Sequence, residues 1–315
     1  MKTMSSRISG AMLATLFLMA VSANAQGMGA APAAAPAPVD YSKVQIKTTK
    51  LSGNLYALVG MGGTTGALVG PDGVLLVDTQ FAPLTDKIVA AVRQISNSPI
   101  RFVLNTHFHS DHIGGNENLG KMGTVIFSRD ELRQSLITPG PGINGAHIDP
   151  SPAAALPLVT YHGGLTLHLN GEEVSAIPIP HAHTDGDSIV LFHTADVIMT
   201  GDIFRSIGYP LADVGNGGSL NGLIDGAGII LGLAGPNTKI VPGHGLTTDR
   251  AAVMAWKDMM MLVRDRVTEM IRQGKTVNEA VAAHITADFD ARTAQPADAG
   301  NRFIAQVYAE LKAAK

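Results

Sequence analysis

His107-Phe108-His109-Ser110-Asp111-His112, followed at once by Ile113-Gly114-Gly115, comes directly after the apolar run Phe102 to Leu104. Three imidazoles and a carboxylate fall in six residues. At the end of a strand, residues two apart face the same way, so His107 and His109 can reach one ion while the turning chain carries Asp111 and His112 elsewhere. Imidazole and carboxylate suit Zn²⁺, and also Fe and Mn. An isolated histidine commonly satisfies local backbone groups, whereas this density of donors points to metal.

Working outward, three further motifs carry the same residue types: Pro180-His181-Ala182-His183-Thr184-Asp185-Gly186-Asp187, Thr200-Gly201-Asp202 and Pro242-Gly243-His244-Gly245. By residue type alone, His181 and His183 are rivals one strand repeat apart. The hexapeptide resembles the HxHxDH signature of the metallo-β-lactamase superfamily, and the later motifs follow in that family's order over roughly residues 44–250. The resemblance implies an α/β fold, an αββα four-layer sandwich, with two Zn²⁺ per chain. It favours His183 as the ligand, placing His107, His109 and His183 on one metal, Asp111, His112 and His244 on the other, and Asp202 as bridge. Asp78, closing the apolar strand Val74 to Val77, resembles an early aspartate that orients a ligand; as a bare strand-end residue it could equally satisfy a turn.

Two cations about 3.5–4 Å apart lower the pKa of bound water toward roughly 7, supplying hydroxide without a strong base, and polarise a carbonyl. Asp111 is the candidate catalytic residue, orienting that hydroxide. The implied activity is hydrolysis of an amide or ester in a small molecule, with β-lactam opening one form and lactone, thioester or phosphodiester cleavage the alternatives. A di-iron redox protein would use the same donors. Cysteine is absent, so β-lactamases with a cysteine ligand are excluded and Asp202 stands where that thiolate would be. Arg205, three residues after Asp202, sits where such enzymes place a lysine for a substrate carboxylate; Asn216, in Gly215-Asn216-Gly217, resembles a loop asparagine that assists the carbonyl. Their plainer readings are a solvated surface arginine and a left-handed turn residue.

The chain has 315 residues, 45% hydrophobic and 16% charged, a composition that buries a substantial core. Lys2 and Arg7, the apolar run Ile8 to Val21 and Ala23-Asn24-Ala25 read as an export signal over residues 1–25, implying a periplasmic or secreted protein starting near Gln26. That run is shorter than the roughly 20 residues of a membrane span, so no stable membrane anchor is expected. Removing Lys2 and Arg7 from the 23 basic residues leaves 21 against 26 acidic, a formal charge of −5, which argues against a nucleic-acid partner. Residues 26–43, rich in Ala, Pro and Gly, read as a flexible linker to a hydrolase domain over 44–315.

Short apolar runs bounded by turn residues predict strands at 55–59, 65–69, 74–78, 101–105, 125–128, 165–169, 174–179, 188–193, 197–200 and 239–241. Helices are expected over 82–96, 129–136, 219–233, 249–273, 276–287 and 301–313. Within the long helix Met259, Met260 and Met261 are consecutive and cannot share one face, which makes them core filler. The stretch 138–155, with four prolines, reads as a long functional loop.

Overall fold

The computed structural model describes residues 39–142, 147–293 and 298–313. The expected export signal, residues 26–38 of the expected linker and residues 143–146 of the long loop lie outside that range. Seven strands form the first sheet in chain order: β1 (Lys47–Ser52), β2 (Leu55–Val59), β3 (Thr65–Leu68), β4 (Val74–Val77), β5 (Ile100–Leu104), β6 (Val125–Arg129) and β7 (Val159–Tyr161). Neighbours from β1 to β4 are antiparallel, and those from β4 to β7 are parallel. The second sheet runs β12 (Lys239–Val241), β11 (Val197–Met199), β10 (Ser188–Phe192), β9 (Glu172–Pro178), β8 (Leu165–Leu169). Between β8 and β9, Asn170 and Gly171 both take positive φ (56° and 76°), the backbone of a two-residue hairpin turn matched to strand twist.

Side-chain alternation sets the layers, because successive strand residues point to opposite faces. In β4, Leu75 and Val77 enter the core between the sheets, shared with Val190, Val197 and Val241 of the second sheet. Val74 and Leu76 point the other way, onto Ile88 and Val92 of α1 (Thr85–Arg93) and Leu119 of α3 (Asn116–Lys121). Ile189, Ile198 and Ile240 leave the second sheet on its far side and pack with α5 (Leu220–Leu233), α6 (Arg250–Arg272) and α9 (Ala299–Ala313). Helix, sheet, sheet, helix is the resulting order, the expected αββα sandwich. The short α2 (Ser110–Ile113) and α4 (Asp130–Ile137) follow β5 and β6, while α7 (Val277–Ala282) and α8 (Ala287–Thr293) join α6 to α9.

Capping defines the helix starts: Ser219 accepts from Gly222 N and Asp249 from Ala252 N, each satisfying an otherwise unpaired helix N–H. Four glycines give α5 low intrinsic helicity, but Gly222 lies against the backbone of His181 so closely that a Cβ would meet His181 O at 1.7 Å. Helix and histidine loop touch only because that side chain is missing. In α6, Met259 and Met260 are buried and Met261 is turned outward.

Several features depart from the sequence reading, among them the short α3, which was not expected. β1 was not expected; it is a polar edge strand with only Leu51 buried, so it lacks the alternation that marks a strand. β7 is a three-residue edge strand, too short for any period. The expected helix over 276–287 stops at Ala282, and left-handed His284 (φ 46°) turns the chain into the separate α8. Within the expected linker, Tyr41–Lys43 forms a 3-10 turn whose carbonyls, with that of Val44, take up the ammonium of Lys87.

Phe192 is fully buried between the sheets. Phe192→Ala is expected to cost about 3–5 kcal/mol, read as a lower urea midpoint at unchanged m-value. A loss below about 1 kcal/mol would mean that the inter-sheet layer does not carry the stability.

Candidate metal centre

The parallel strands β4 and β5 end side by side, and one carboxylate ties the loops beyond them. Asp78, just past β4, accepts from Thr106 N at 2.8 Å, from Thr106 Oγ1 at 2.6 Å and faces His112 Nδ1 at 2.7 Å. Its backbone is left-handed (φ 61°), a conformation that costs a non-glycine residue about 1 kcal/mol or more and is held here by those bonds. Behind it, Asn105 and Asn116 exchange side-chain hydrogen bonds at 2.8 and 3.2 Å, and Thr79 N donates to His112 O at 2.6 Å. Thus the turn after β5 is anchored at several buried polar points before any metal is considered.

Across the inter-sheet seam, the ends of β9, β11 and β12 deliver His183, Asp202 and His244. His183 Nε2 lies 2.8 Å from His109 Nδ1, with His107 in the same group of potential ligand atoms. A second group joins Asp111, His112 and His244, with His244 Nε2 3.2 Å from Asp111 Oδ2. Asp202 lies between them: Oδ1 is 3.2 Å from His112 Nε2, and Oδ2 is 3.3 Å from His244 Nε2 and 3.8 Å from His183 Nε2. Any Cβ at Gly243 would fall 2.0 Å from Asp202 Oδ1, so glycine keeps the space for this carboxylate.

The donor set fits divalent cations. His107 Nε2, His112 Nε2 and Asp202 Oδ1 are buried with no aligned hydrogen-bond partner, an arrangement costly for polar atoms unless a cation accepts their lone pairs. Four of the five imidazoles are aimed by their other nitrogen, as ligand histidines usually are: His112 by Asp78, His183 by Leu211 O at 2.6 Å, His107 by Thr106 Oγ1 at 3.1 Å and His109 by Asp213 Oδ2 at 2.9 Å. Burial pushes the His183 pKa down to about 4, and burial with three neighbouring imidazoles holds His107 well below the usual range. Both imidazoles are therefore neutral near pH 7, each with a lone pair that a cation could accept. Burial alone would also lower His112, but Asp78 and Asp202 outweigh it and hold its proton, which a cation would displace.

The pattern defining the metallo-β-lactamase superfamily matches residues 59–252, well over half of the chain. The chain belongs to the metallo-β-lactamase superfamily. With that membership it is a metal-dependent hydrolase. Among solved structures, a metallo-β-lactamase from Pontibacter korlensis superposes with TM-score 0.55 at 17% identity, covering 69% of this chain and 99% of that one. The DIM-1 metallo-β-lactamase gives TM-score 0.55 at 17% identity, covering 70% and 99% respectively. At such identities the likeness concerns the fold. A linear primary-alkylsulfatase from a Pseudomonas species is 36% identical over 77 residues, 22% of this chain and 15% of the sulfatase, so the match spans a small part of that relative.

In this superfamily member the His/Asp cluster floors a cavity of about 540 Å³, whose walls include Phe108, Ile113, Leu136, Ile148 and Leu211. Arg205 lines that cavity. Asn216 does not; its amide donates to Pro141 O and Asp213 Oδ2, both at 2.8 Å, and the left-handed residue of its turn is Gly217. His181 lies outside the donor groups, exposed and left-handed, with Nδ1 3.2 Å from Gly217 O. Pro139, Gly142, Ile148, Asp149 and Ser151, from the described part of the long loop, line the cavity. Sequence reasoning missed Asp213, which has no fixed spacing to His109. It also missed Asp187, although Thr184-Asp185-Gly186-Asp187 displays it. This buried carboxylate accepts from His183 N and Thr184 N at 2.6 and 2.8 Å and shapes the histidine turn.

Asp78→Ala and Asp213→Ala release His112 and His109 respectively. Each is expected to weaken metal binding by about 10–100-fold, measured by competition with a chromophoric chelator. Unchanged affinities would mean that these carboxylates do not orient the ligands.

Proposed function

We propose that this protein is an exported, dinuclear zinc hydrolase that cleaves an amide or ester bond in a small anionic substrate, with β-lactam opening as its leading activity. The observation that carries the reading is Asp202 reaching both histidine groups from a buried position. One cation would be held by His107, His109 and His183, and the other by Asp111, His112 and His244, with Asp202 shared. When bound, two such cations supply a hydroxide nucleophile near neutral pH and polarise the scissile carbonyl.

The chain's own residues do the rest. Burial would raise the Asp202 pKa, but His112 and His244 outweigh it and hold the group well below the carboxylate range; it keeps a negative charge between the two sites. Asp111, the less buried carboxylate of the cluster, borders the cavity and is placed to orient the attacking oxygen and accept its proton. Arg205, also on the cavity wall, offers a planar guanidinium to a substrate carboxylate. Phe108, Leu136, Ile148 and Leu211 limit water around the reacting group.

A second reading, cleavage of a sulfate or phosphate ester, draws support from the local match to an alkylsulfatase and from the same arginine. Export is supported by Lys2, Arg7 and the apolar run ending at Val21. Among the described residues, no helix is long and apolar enough to cross a membrane.

Zinc-loaded protein lacking residues 1–25 is expected to open a chromogenic cephalosporin in a chelator-sensitive manner, and elemental analysis should find two zincs per chain. Turnover of an alkyl sulfate or a phosphodiester in its place would select the second reading. Zinc-loaded protein inert to all three, and to lactone and thioester substrates, would overturn the proposal.

Asp111→Asn is expected to lower turnover by on the order of 10²-fold or more with Asp202 and five histidines still available for metal. Full activity with both metals retained would remove Asp111 from the mechanism.

A further inference from the structure

Arg205 borders two cavities. Beyond the metal cavity, a second one of about 230 Å³ lies between the loop after Asp202 and helices α6 and α8, walled by Phe204, Trp256, Met259 and Phe289. The Phe204 and Trp256 rings meet edge to face with centroids 5.6 Å apart, which fixes the aromatic wall. Against the roughly 30 Å³ share of one water, the volume suits a chain or ring of about seven heavy atoms.

Among the residues lining this pocket, Arg205 alone is charged, while Ser206 and Thr293 donate their hydroxyls to backbone carbonyls. Arg205 pairs with no carboxylate among the described residues, and its Nε is buried without an acceptor. Trp256 is 8% exposed and its indole N–H is also buried without an acceptor. The wall is therefore one cationic residue set in a largely apolar surface. A ligand complementary to it is apolar over most of its length and anionic at one end.

We propose that this pocket binds a medium-chain carboxylate, its alkyl chain against Trp256, Met259 and Phe289 and its carboxylate on the Arg205 guanidinium. The assignment does not depend on which bond is cleaved at the metal centre. Because Arg205 also lines the cavity over the His/Asp cluster, a carboxylate held here competes with any anion that approaches Arg205 from that side.

Trp256 is the single tryptophan of the chain and lines the pocket, so its fluorescence reports occupancy. Octanoate titrated into the zinc-loaded full chain is expected to give a saturable change in emission, with octanol at least tenfold weaker and acetate silent. Arg205→Gln should bring octanoate down to the octanol level. Ala255→Phe, at an exposed α6 position on the pocket wall, should abolish both responses. Octanoate affinity should survive removal of zinc by chelator. No saturable change, equal binding of octanoate and octanol, indifference to Arg205→Gln or to Ala255→Phe, or loss of binding with the metal would each overturn the proposal.

Discussion

The buried carboxylate of Asp78 is the constraint on which the site depends. It sits where two parallel strands end together, and its two oxygens are used by three groups of the neighbouring loop: the amide and hydroxyl of Thr106 and the imidazole of His112. A hydroxyl or amide in its place could not hold all three and also carry a charge facing the imidazole. Fixing Thr106 fixes the next residue, His107, and fixing His112 sets the other end of the hexapeptide. The left-handed backbone at Asp78 is the local cost of directing the carboxylate into this position.

From that anchor the site is assembled by opposition. Four donors come from the first sheet's side, and His183, Asp202 and His244 come from the ends of second-sheet strands. Each set is rigid for its own reason: His183 by the Asp187 turn and the carbonyl of Leu211, Asp202 by the space kept at Gly243. Buried imidazoles and carboxylates pointed at one another without aligned hydrogen bonds conflict with ordinary core formation. Such a conflict is resolved when the cluster is understood as a set of ligands, and it marks the functional region of a chain that elsewhere follows simple patterning.

Much of this was legible in the sequence because the central strands are continuous apolar runs. Val74-Leu75-Leu76-Val77 is buried on both faces, and Ser188 to Phe192 likewise, so continuous apolar runs bounded by turn residues were sufficient signals. The histidine motifs stood out because metal chemistry needs particular donors at short spacing. What escaped was set by tertiary neighbours. Asp213 is one aspartate among many until the fold brings it to His109; Asn216 gave no sign that its amide would be occupied by Pro141 and Asp213; β1 has the composition of a solvated loop and is a strand because β2 offers an edge. The break at His284 had no glycine or proline to announce it.

The separation of the ligands along the chain also bears on how the protein matures. His107 is available early in synthesis, whereas His244 arrives only after both sheets have been made. Contacts between segments so distant in sequence form late, since the entropy of closing long loops must be overcome first. A partly folded chain therefore offers scattered imidazoles, and only the finished sandwich offers a cage. A cation held by all of these side chains would therefore bind complete molecules in preference to incomplete ones, acting as the last fastener of the fold and a checkpoint on its assembly.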